Sequence, residues 1–460
     1  MEVFVVNSGE LRRRLDPIFY FQDVFHFLNK TKFDIRTVGD VAFYLKAGFA
    51  AGKQNQELVN EDGIIQIRPT NIDEEGNLFF DKNIFLPKDY IETKRNFLLS
   101  KEEVLFNNTN SQELVGKSTL FDIEGLYFCS NHITRIGVNQ DLVSPFFLTM
   151  LLNLYQRLKL FYSICTNWNN QSGVNVDLLK SVKIPLPPLT TQNEIVSIMQ
   201  NAYEQKKQKE AEASELLKSV DSYVMEALGI KLPEMKKEKC FVVESNELEK
   251  NRVDAYYHQP YLIKRYKAIH ESEFPIVDFS NVILDLKNGV EIRTYTDSGS
   301  RYLRVTDLSE TGINNDSPRF VEVDEIPERV RLSKSDFLIS RSGSLGLVSV
   351  VTDEVVNSIL SSHIFKVSLD TTKILPEYLQ AYFRCSVGQF QFFHKNNGGI
   401  VPEINQDALK SLSVVLPPLN TQTEIAEEVK RRTEKAEALK REAVSVLEDA
   451  KKEVEGMILG

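Results

Sequence analysis

A three-then-four spacing of side chains runs through Ile195, Met199, Ala202, Lys206, Lys209, Ala213, Leu216, Val220, Tyr223 and Ala227. It recurs through Ile425, Val429, Arg432, Ala436, Leu439, Ala443, Val446 and Ala450. This is heptad spacing, and it predicts two long helices, each with one narrow apolar seam. Lys206, Lys209 and Arg432 interrupt the seams, so each helix is expected to take the other as its partner. Thr191 and Thr421 are the expected N-caps, with Glu194 and Glu424 three residues on at the capping-box spacing. The prolines just before them argue against an earlier start. A helix over 191–228 has about 38 residues and a length of about 57 Å.

Elsewhere the pattern is one of short runs. Apolar or alternating segments at 63–68, 104–106, 133–136, 337–339 and 347–351 are bounded by Gly, Asn, Asp and Ser, and read as strands. Helical periodicity returns at 145–162 and 376–393. The expected fold class is α+β, with two mixed α/β domains separated by two long helices.

The two halves repeat one another. Leu186-Pro187-Pro188-Leu189 and Thr191-Gln192-Asn193-Glu194-Ile195 return as Leu416-Pro417-Pro418-Leu419 and Thr421-Gln422-Thr423-Glu424-Ile425. Upstream, Phe4-Val5-Val6 matches Phe241-Val242-Val243, Arg14-Leu15-Asp16 matches Arg252-Val253-Asp254, and His132-Ile133 matches His363-Ile364. Repetition at this period governs the whole architecture. It divides the chain into a first domain (1–185), a first helix (186–235), a second domain (236–416) and a second helix (417–460). Such a repeat closes on itself with antiparallel helices and a pseudo-two-fold axis.

Length and composition agree with this division. The 460 residues suffice for two or more domains, and 42% hydrophobic with 26% charged residues is an ordinary globular balance. The four cysteines lie far apart without metal-ligand spacing, which suits reduced thiols in a cytoplasm. The most apolar window, 146–155, is half of what a bilayer span needs, so no membrane association is expected. A net charge of −10 argues against nucleic acid held by bulk electrostatics. Phosphate attraction would have to come from local pattern and from partner subunits.

Two variable domains, each followed by Leu-Pro-Pro-Leu and a Thr-Gln-x-Glu-Ile helix start, resemble the specificity subunit of type I restriction–modification systems. The resemblance covers essentially the whole chain. It implies that each domain recognises one half of a split double-stranded DNA target. It also implies that the helices form an antiparallel coil that spaces the domains and docks two DNA methyltransferase subunits, with restriction subunits as further partners. No cofactor is then expected in this chain, and S-adenosylmethionine belongs to the methyltransferase. The subunit-interface residues so implied are Thr191, Gln192, Glu194, Ile195, Met199, Leu216, Thr421, Gln422, Glu424, Ile425, Val429, Leu439 and Val446.

Candidate DNA contacts come from equivalent places in the two halves. Acid-free stretches at 142–176 and 378–402 each end in a polar loop, holding Asn169 and Asn170 in one and Lys395, Asn396 and Asn397 in the other. Amides can read adenine edges, and glycine lets a backbone approach phosphate closely. A second pair of loops carries Lys46, Lys53, Gln54 and Asn55, against Lys287 and Arg293. These precede Arg68 and Arg304, for which pairing with an acid inside the domain is an equal alternative. The third pair sets Asn108 against Arg341 and Ser342, Arg341 being suited to guanine or phosphate.

Other motifs point nowhere. Gly116-Lys117-Ser118-Thr119 lacks the earlier glycine of a phosphate-binding loop. His132 and His363 have no ligand pattern around them and read as structural. No amide or carboxylate precedes the Pro-Pro pairs as base-gripping methyltransferases require. Glu427-Glu428-Val429-Lys430 reads as a solvated helix face. The chain is therefore read as a non-catalytic recognition subunit. The competing reading, favoured by the acidic balance, is a two-domain protein-interaction scaffold.

Overall fold

The computed structural model describes residues 26–58, 63–168, 171–234, 236–244, 254–309, 312–323, 327–397 and 399–459. It forms two compact units, residues 1–207 with 443–460, and residues 208–442.

In the first unit a four-stranded antiparallel sheet runs in the order Ala42–Ala47, Ile133–Val138, Glu103–Asn107, Ser118–Phe121. The Glu103–Asn107 strand is buried on both faces, which is why its centre, Val104-Leu105-Phe106, reads as an unbroken apolar run. Its period of two sends Val104 and Phe106 to one core, with Phe147, Leu151 and Tyr155 of the Pro145–Arg157 helix. Leu105 goes to a second core with Ile67, Phe121 and Ile133. A smaller sheet sets Ile64–Ile67 antiparallel to Phe85–Leu86 and parallel to Phe128–Cys129. Asp34–Thr37 pairs with Lys183–Leu186 and leads the chain into the first long helix, Leu189–Ala227.

The second unit repeats this topology in its main sheet, its smaller sheet and the strand pair that leads into the long helix. Its main sheet runs Ile283–Asn288, Ile364–Leu369, Phe337–Ser340, Val348–Val350. Phe337 and Ile339 face the core that holds Tyr378, Tyr382 and Phe383 of the Pro376–Arg384 helix, while Leu338 faces Leu303, Leu360 and Ile364. Ser300–Leu303 lies between antiparallel Arg319–Val321 and parallel Ile359–Leu360, and Ile276–Asp278 pairs with Ser413–Val415 before the second long helix, Leu419–Leu459.

Both sheets carry an internal ion pair at the same place. Arg135, paired across strands with Lys46, donates from Nε to Glu103 at 2.9 Å and from Nη2 to the Leu98 carbonyl at 2.7 Å. Lys366, paired across strands with Lys287, meets Asp336 at 3.5 Å and donates to the Arg331 carbonyl at 2.7 Å. Burial and the adjoining Glu103 push the Tyr44 hydroxyl up to about 12.

The expected helix caps are corrected. The long helices begin at Leu189 and Leu419, so Thr191, Glu194, Thr421 and Glu424 lie inside the first turns. The first helical bonds run from Gln192 N to the Pro188 carbonyl and from Gln422 N to the Pro418 carbonyl, both 3.0 Å. Proline tolerates that position because a helix start leaves N–H groups without acceptors in any case. Gln192 and Gln422 are fully buried, so neither presents a surface to another subunit. Gln192 Nε2 donates to Leu142 O and Pro187 O, both at 2.9 Å, and its Oε1 accepts Ser144 N at 2.8 Å. Gln422 likewise bonds Lys373 O, Pro417 O and Leu375 N at 2.8–2.9 Å. Each glutamine locks its helix start to the loop that opens the preceding domain helix.

Within the second unit the long helices run antiparallel. Lys209 meets Glu442 at 2.6 Å, Glu212 meets Lys435 at 3.1 Å, and Arg432 Nη1 donates to Ser219 O at 2.9 Å, so one number rises as the other falls. Ala213, Ala436 and Leu439 are buried between them, with Leu216 partly so. The charged interruptions of the heptads are thus paired: Arg432 also lies over the Tyr223 ring at 4.6 Å, and Lys206, in the first unit, pairs with Glu75. Ile195 and Met199 pack into the first unit's core with Val446 partly buried beside them, and Ile425 and Val429 pack into the second unit's. No helix among the described residues is long and apolar enough to cross a membrane.

Candidate nucleic-acid interface

In each unit four segments distant in sequence meet at one end of the main sheet. In the first, Gly48 N bonds Ile133 O at 2.9 Å, Phe49 bridges Ser130, Asn108 N bonds His132 O at 3.0 Å, and Val174 N bonds Asn108 O at 2.9 Å. In the second, Gly289 N bonds Ile364 O at 3.3 Å, Val290 bridges Ser361, Arg341 N bonds His363 O, and Ile404 N bonds Arg341 O, the last two at 2.9 Å. The repeat therefore extends to individual backbone bonds, with Asn108 and Arg341 in the same position. His132 and His363 contribute their carbonyls to it.

Gly48 and Gly289 are explained by their own domains. A Cβ at Gly48 would lie 2.2 Å from the Cys129 carbonyl, and one at Gly289 would lie 2.1 Å from the Ser361 carbonyl. The close approach that glycine permits is made here to a neighbouring strand.

The sequence candidates divide by environment. Lys46, Lys53, Gln54, Lys287, Arg293 and Asn397 are exposed, while Asn55, Ser342, Lys395 and Asn396 are half-buried. Lys46 extends over the Tyr44 ring at 5.2 Å, and Lys287 and Arg293 each pair with an acid two residues away, Asp285 and Glu291. Lys395 Nζ lies 3.5 Å from the Tyr257 hydroxyl. Asn169, Asn170 and Gly398 lie outside the described residues.

Two candidates are internal struts. Asn108 is buried and donates to Thr134 Oγ1 at 2.9 Å and Asn131 O at 3.2 Å, so its amide supports the loop from beneath. Arg304 grips Asp307 with two bonds, 2.6 and 3.2 Å, which realises the structural alternative. Its counterpart Arg68 has no carboxylate partner among the described residues. Arg68 Nη2 reaches Gln66 Oε1 at 3.5 Å, its Nε is buried without a partner, and burial pulls the guanidinium below its usual range.

Arg341 is half-buried against the second unit's loop. Its guanidinium pairs with Glu403 and covers the Phe365 ring at 5.3 Å. Ser342 forms a bridge with Glu403, and Gly343 N bonds Pro402 O at 3.0 Å. In the first unit the same position holds a three-stranded ribbon of Thr109–Asn110, Gln171–Gly173 and Thr166–Trp168.

Residues missed by the sequence candidates sit at these tips. Trp168, the single tryptophan, is 45% exposed and lies against Gly173. Ile400 is fully exposed and Val401 more than half so. An isolated tryptophan inside an Asn/Gln-rich loop was the available signal for the first; an Ile-Val pair beside glycines was that for the second.

Motifs set aside earlier are occupied structurally. Lys117 is buried and donates to the Ile72 carbonyl at 2.6 Å. Among the described residues no group of three or more His, Cys, Asp or Glu is placed to hold a metal ion.

A duplicated α+β unit that gathers four chain segments at one sheet end, each copy followed by a long helix, is the class of fold that the chain presents. The model of the type I restriction modification DNA specificity domain matches residues 30–219 and 325–447, more than half of the chain, and the protein belongs to that family. The chain is 31% identical over 98 residues to the specificity subunit assigned to the type I restriction enzyme MjaX of Methanocaldococcus jannaschii, a match covering 21% of this chain and 23% of that protein. It is 23% identical over 403 residues to the specificity subunit of the type I restriction enzyme EcoKI of Escherichia coli K12, covering 85% of this chain and 79% of that one. A solved chain from work on complex assembly and conformational transition of the type I R-M system shares the fold, with a TM-score of 0.53, 15% identity, and 93% and 96% of the two chains covered. The protein is a DNA-recognition component that works within a restriction–modification complex, and it is not itself an enzyme.

Proposed function

We propose that each unit reads one half of an asymmetric, bipartite double-stranded DNA target through the loop cluster at its sheet end. The observation that carries this is the contrast within the repeat. Backbone bonds that assemble the cluster are duplicated, while the side chains presented, Trp168 and Gln171 in one unit and Asn397, Ile400 and Val401 in the other, differ. Unlike surfaces on like scaffolds suit unlike half-sites. The gap between half-sites would follow the length of the helices.

The partners in this reading are two DNA methyltransferase subunits, together with restriction subunits, in the cytoplasm. S-adenosylmethionine would be held by the methyltransferase. Glu194 and Glu424, exposed at equivalent points of the helix starts, are the residues of the expected set best exposed for such partners. Exposed Lys46, Lys53, Lys287 and Arg293 would supply phosphate contacts, and the partners the rest of the positive charge that a chain of net charge −10 lacks.

Filter binding of labelled duplex DNA tests this, with the chain alone and with a methyltransferase subunit, at two salt concentrations. The expected result is sequence-preferring retention with the partner that weakens as salt rises. Equal retention of all sequences in the assembled complex would overturn it.

A further inference from the structure

Residues 399–403 of the second unit present two aliphatic side chains to solvent beside a fixed base. Asn397 N bonds Glu403 O at 2.7 Å, and Glu403 N bonds Asn396 Oδ1 at 2.8 Å. The Glu403 carboxylate is held by Arg341, itself laid over Phe365, and Pro402 O accepts Gly343 N at 3.0 Å. Ile400 and Val401 are thus carried on a braced loop and contribute nothing to the core. Both are β-branched and stiff at χ1, so little side-chain freedom is lost on contact.

The size of the patch selects its ligand. Two aliphatic side chains among Asn396, Asn397, Gly399 and Pro402 are far too little for a stable protein–protein contact, which buries about 1,200 Å² or more. They match a single methyl group, and the one methyl in the major groove of unmodified DNA is that of thymine. In the first unit the equivalent tip also carries a large exposed apolar side chain, Trp168, although the sequence and local structure there are different. Gln406, whose Nε2 donates to Asn288 Oδ1 at 3.2 Å, ties the base of this loop to the one bearing Lys287 and Arg293.

We infer that Ile400 and Val401 are specificity-determining residues that pack on a thymine C5 methyl and select thymine at one position of the second unit's half-site. This rests on the DNA-reading function proposed above. The test begins by mapping modified bases in genomic DNA of cells expressing the whole system, which defines both half-sites. The purified complex is then titrated with duplexes in which each thymine of the motif in turn becomes deoxyuridine, which removes the methyl alone. The wild-type complex is expected to lose about fourfold in affinity at one position of one half-site, the ratio for burying one methyl-sized group. The double variant Ile400→Ser, Val401→Ser is expected to bind both duplexes equally at that position and to keep the other half-site unchanged. Indifference of the wild type to every replacement, a second half-site without thymine on either strand, or unaltered discrimination by the variant would overturn the inference. A wild-type complex with no sequence preference at all would instead overturn DNA reading itself, and the inference with it.

Discussion

Where the first unit closes its loop cluster with a three-stranded ribbon, the second does so with one bridge from Ser342 to Glu403 and a loop braced by Arg341. Beneath this difference the units agree closely. The glutamine locks at Gln192 and Gln422, the glycine approaches at Gly48 and Gly289, and the helix caps at Asn175 and Asn405 are duplicated with near-identical distances. Duplication has preserved the bonds that hold the scaffold, while the side chains presented at the cluster differ between the units. The difference teaches where tolerance lies: a loop end tied through backbone bonds can change its chemistry without disturbing the sheet behind it.

The sharpest test of the scaffold comparison is its buried ion pairs. Arg135→Met leaves Glu103 buried without its partner and should cost about 3–5 kcal/mol in urea unfolding. Lys366→Met should cost less, about 1–3 kcal/mol, because the contact with Asp336 is 3.5 Å long and the second bond is to a backbone carbonyl. Equal losses would break the argument that the two pairs differ in strength. Next come Gln192→Ala and Gln422→Ala, each removing three hydrogen bonds around buried groups. Both should cost about 2–3 kcal/mol and should match one another; a large inequality would mean that the locks are not equivalent. Asn175→Ala and Asn405→Ala each remove a cap at 2.8 Å, worth about 1 kcal/mol, readable as equal small shifts in the unfolding midpoint.

The smallest effect separates the units by pH. Hydrogen bonds from Arg431 and Arg432 hold the Glu428 carboxyl down at about 2, against an ordinary 4.5. A carboxyl lowered on folding adds stability that is complete above 4.5 and is lost as pH falls toward 2. The equivalent residue of the first helix is Ile198, so acid should weaken the second unit through this group and not the first. Thermal unfolding of Glu428→Gln between pH 5 and pH 2 should show a shallower decline than wild type. Parallel declines would remove Glu428 from the account.

Much of this was legible in the sequence because it depended on local spacing. The heptads and the strand runs follow from periodicity within one segment, the repeat from matching the two halves directly, and the family resemblance from the junction motif. What stayed hidden depended on partners far along the chain. Gln192 reads as a polar helix-start residue, yet its acceptors are Leu142 and Pro187. Asn108 reads as a loop amide, and only Asn131 and Thr134 reveal it as a strut. The capping boxes at Thr191 and Thr421 were misread because a proline can begin a helix as well as bar one. Ile400 and Val401 carried only a faint signal, an aliphatic pair beside glycines, because exposure of such a pair is a property of the folded loop.

The central claim is that the two units read DNA separately, and exchange of one of them tests it most directly. Replacing 30–185 with the equivalent domain of another family member, then mapping modified bases in genomic DNA of cells expressing the system, should change one half of the motif and leave the other half as it was. A motif altered in both halves, or in neither while methylation continues, would contradict it.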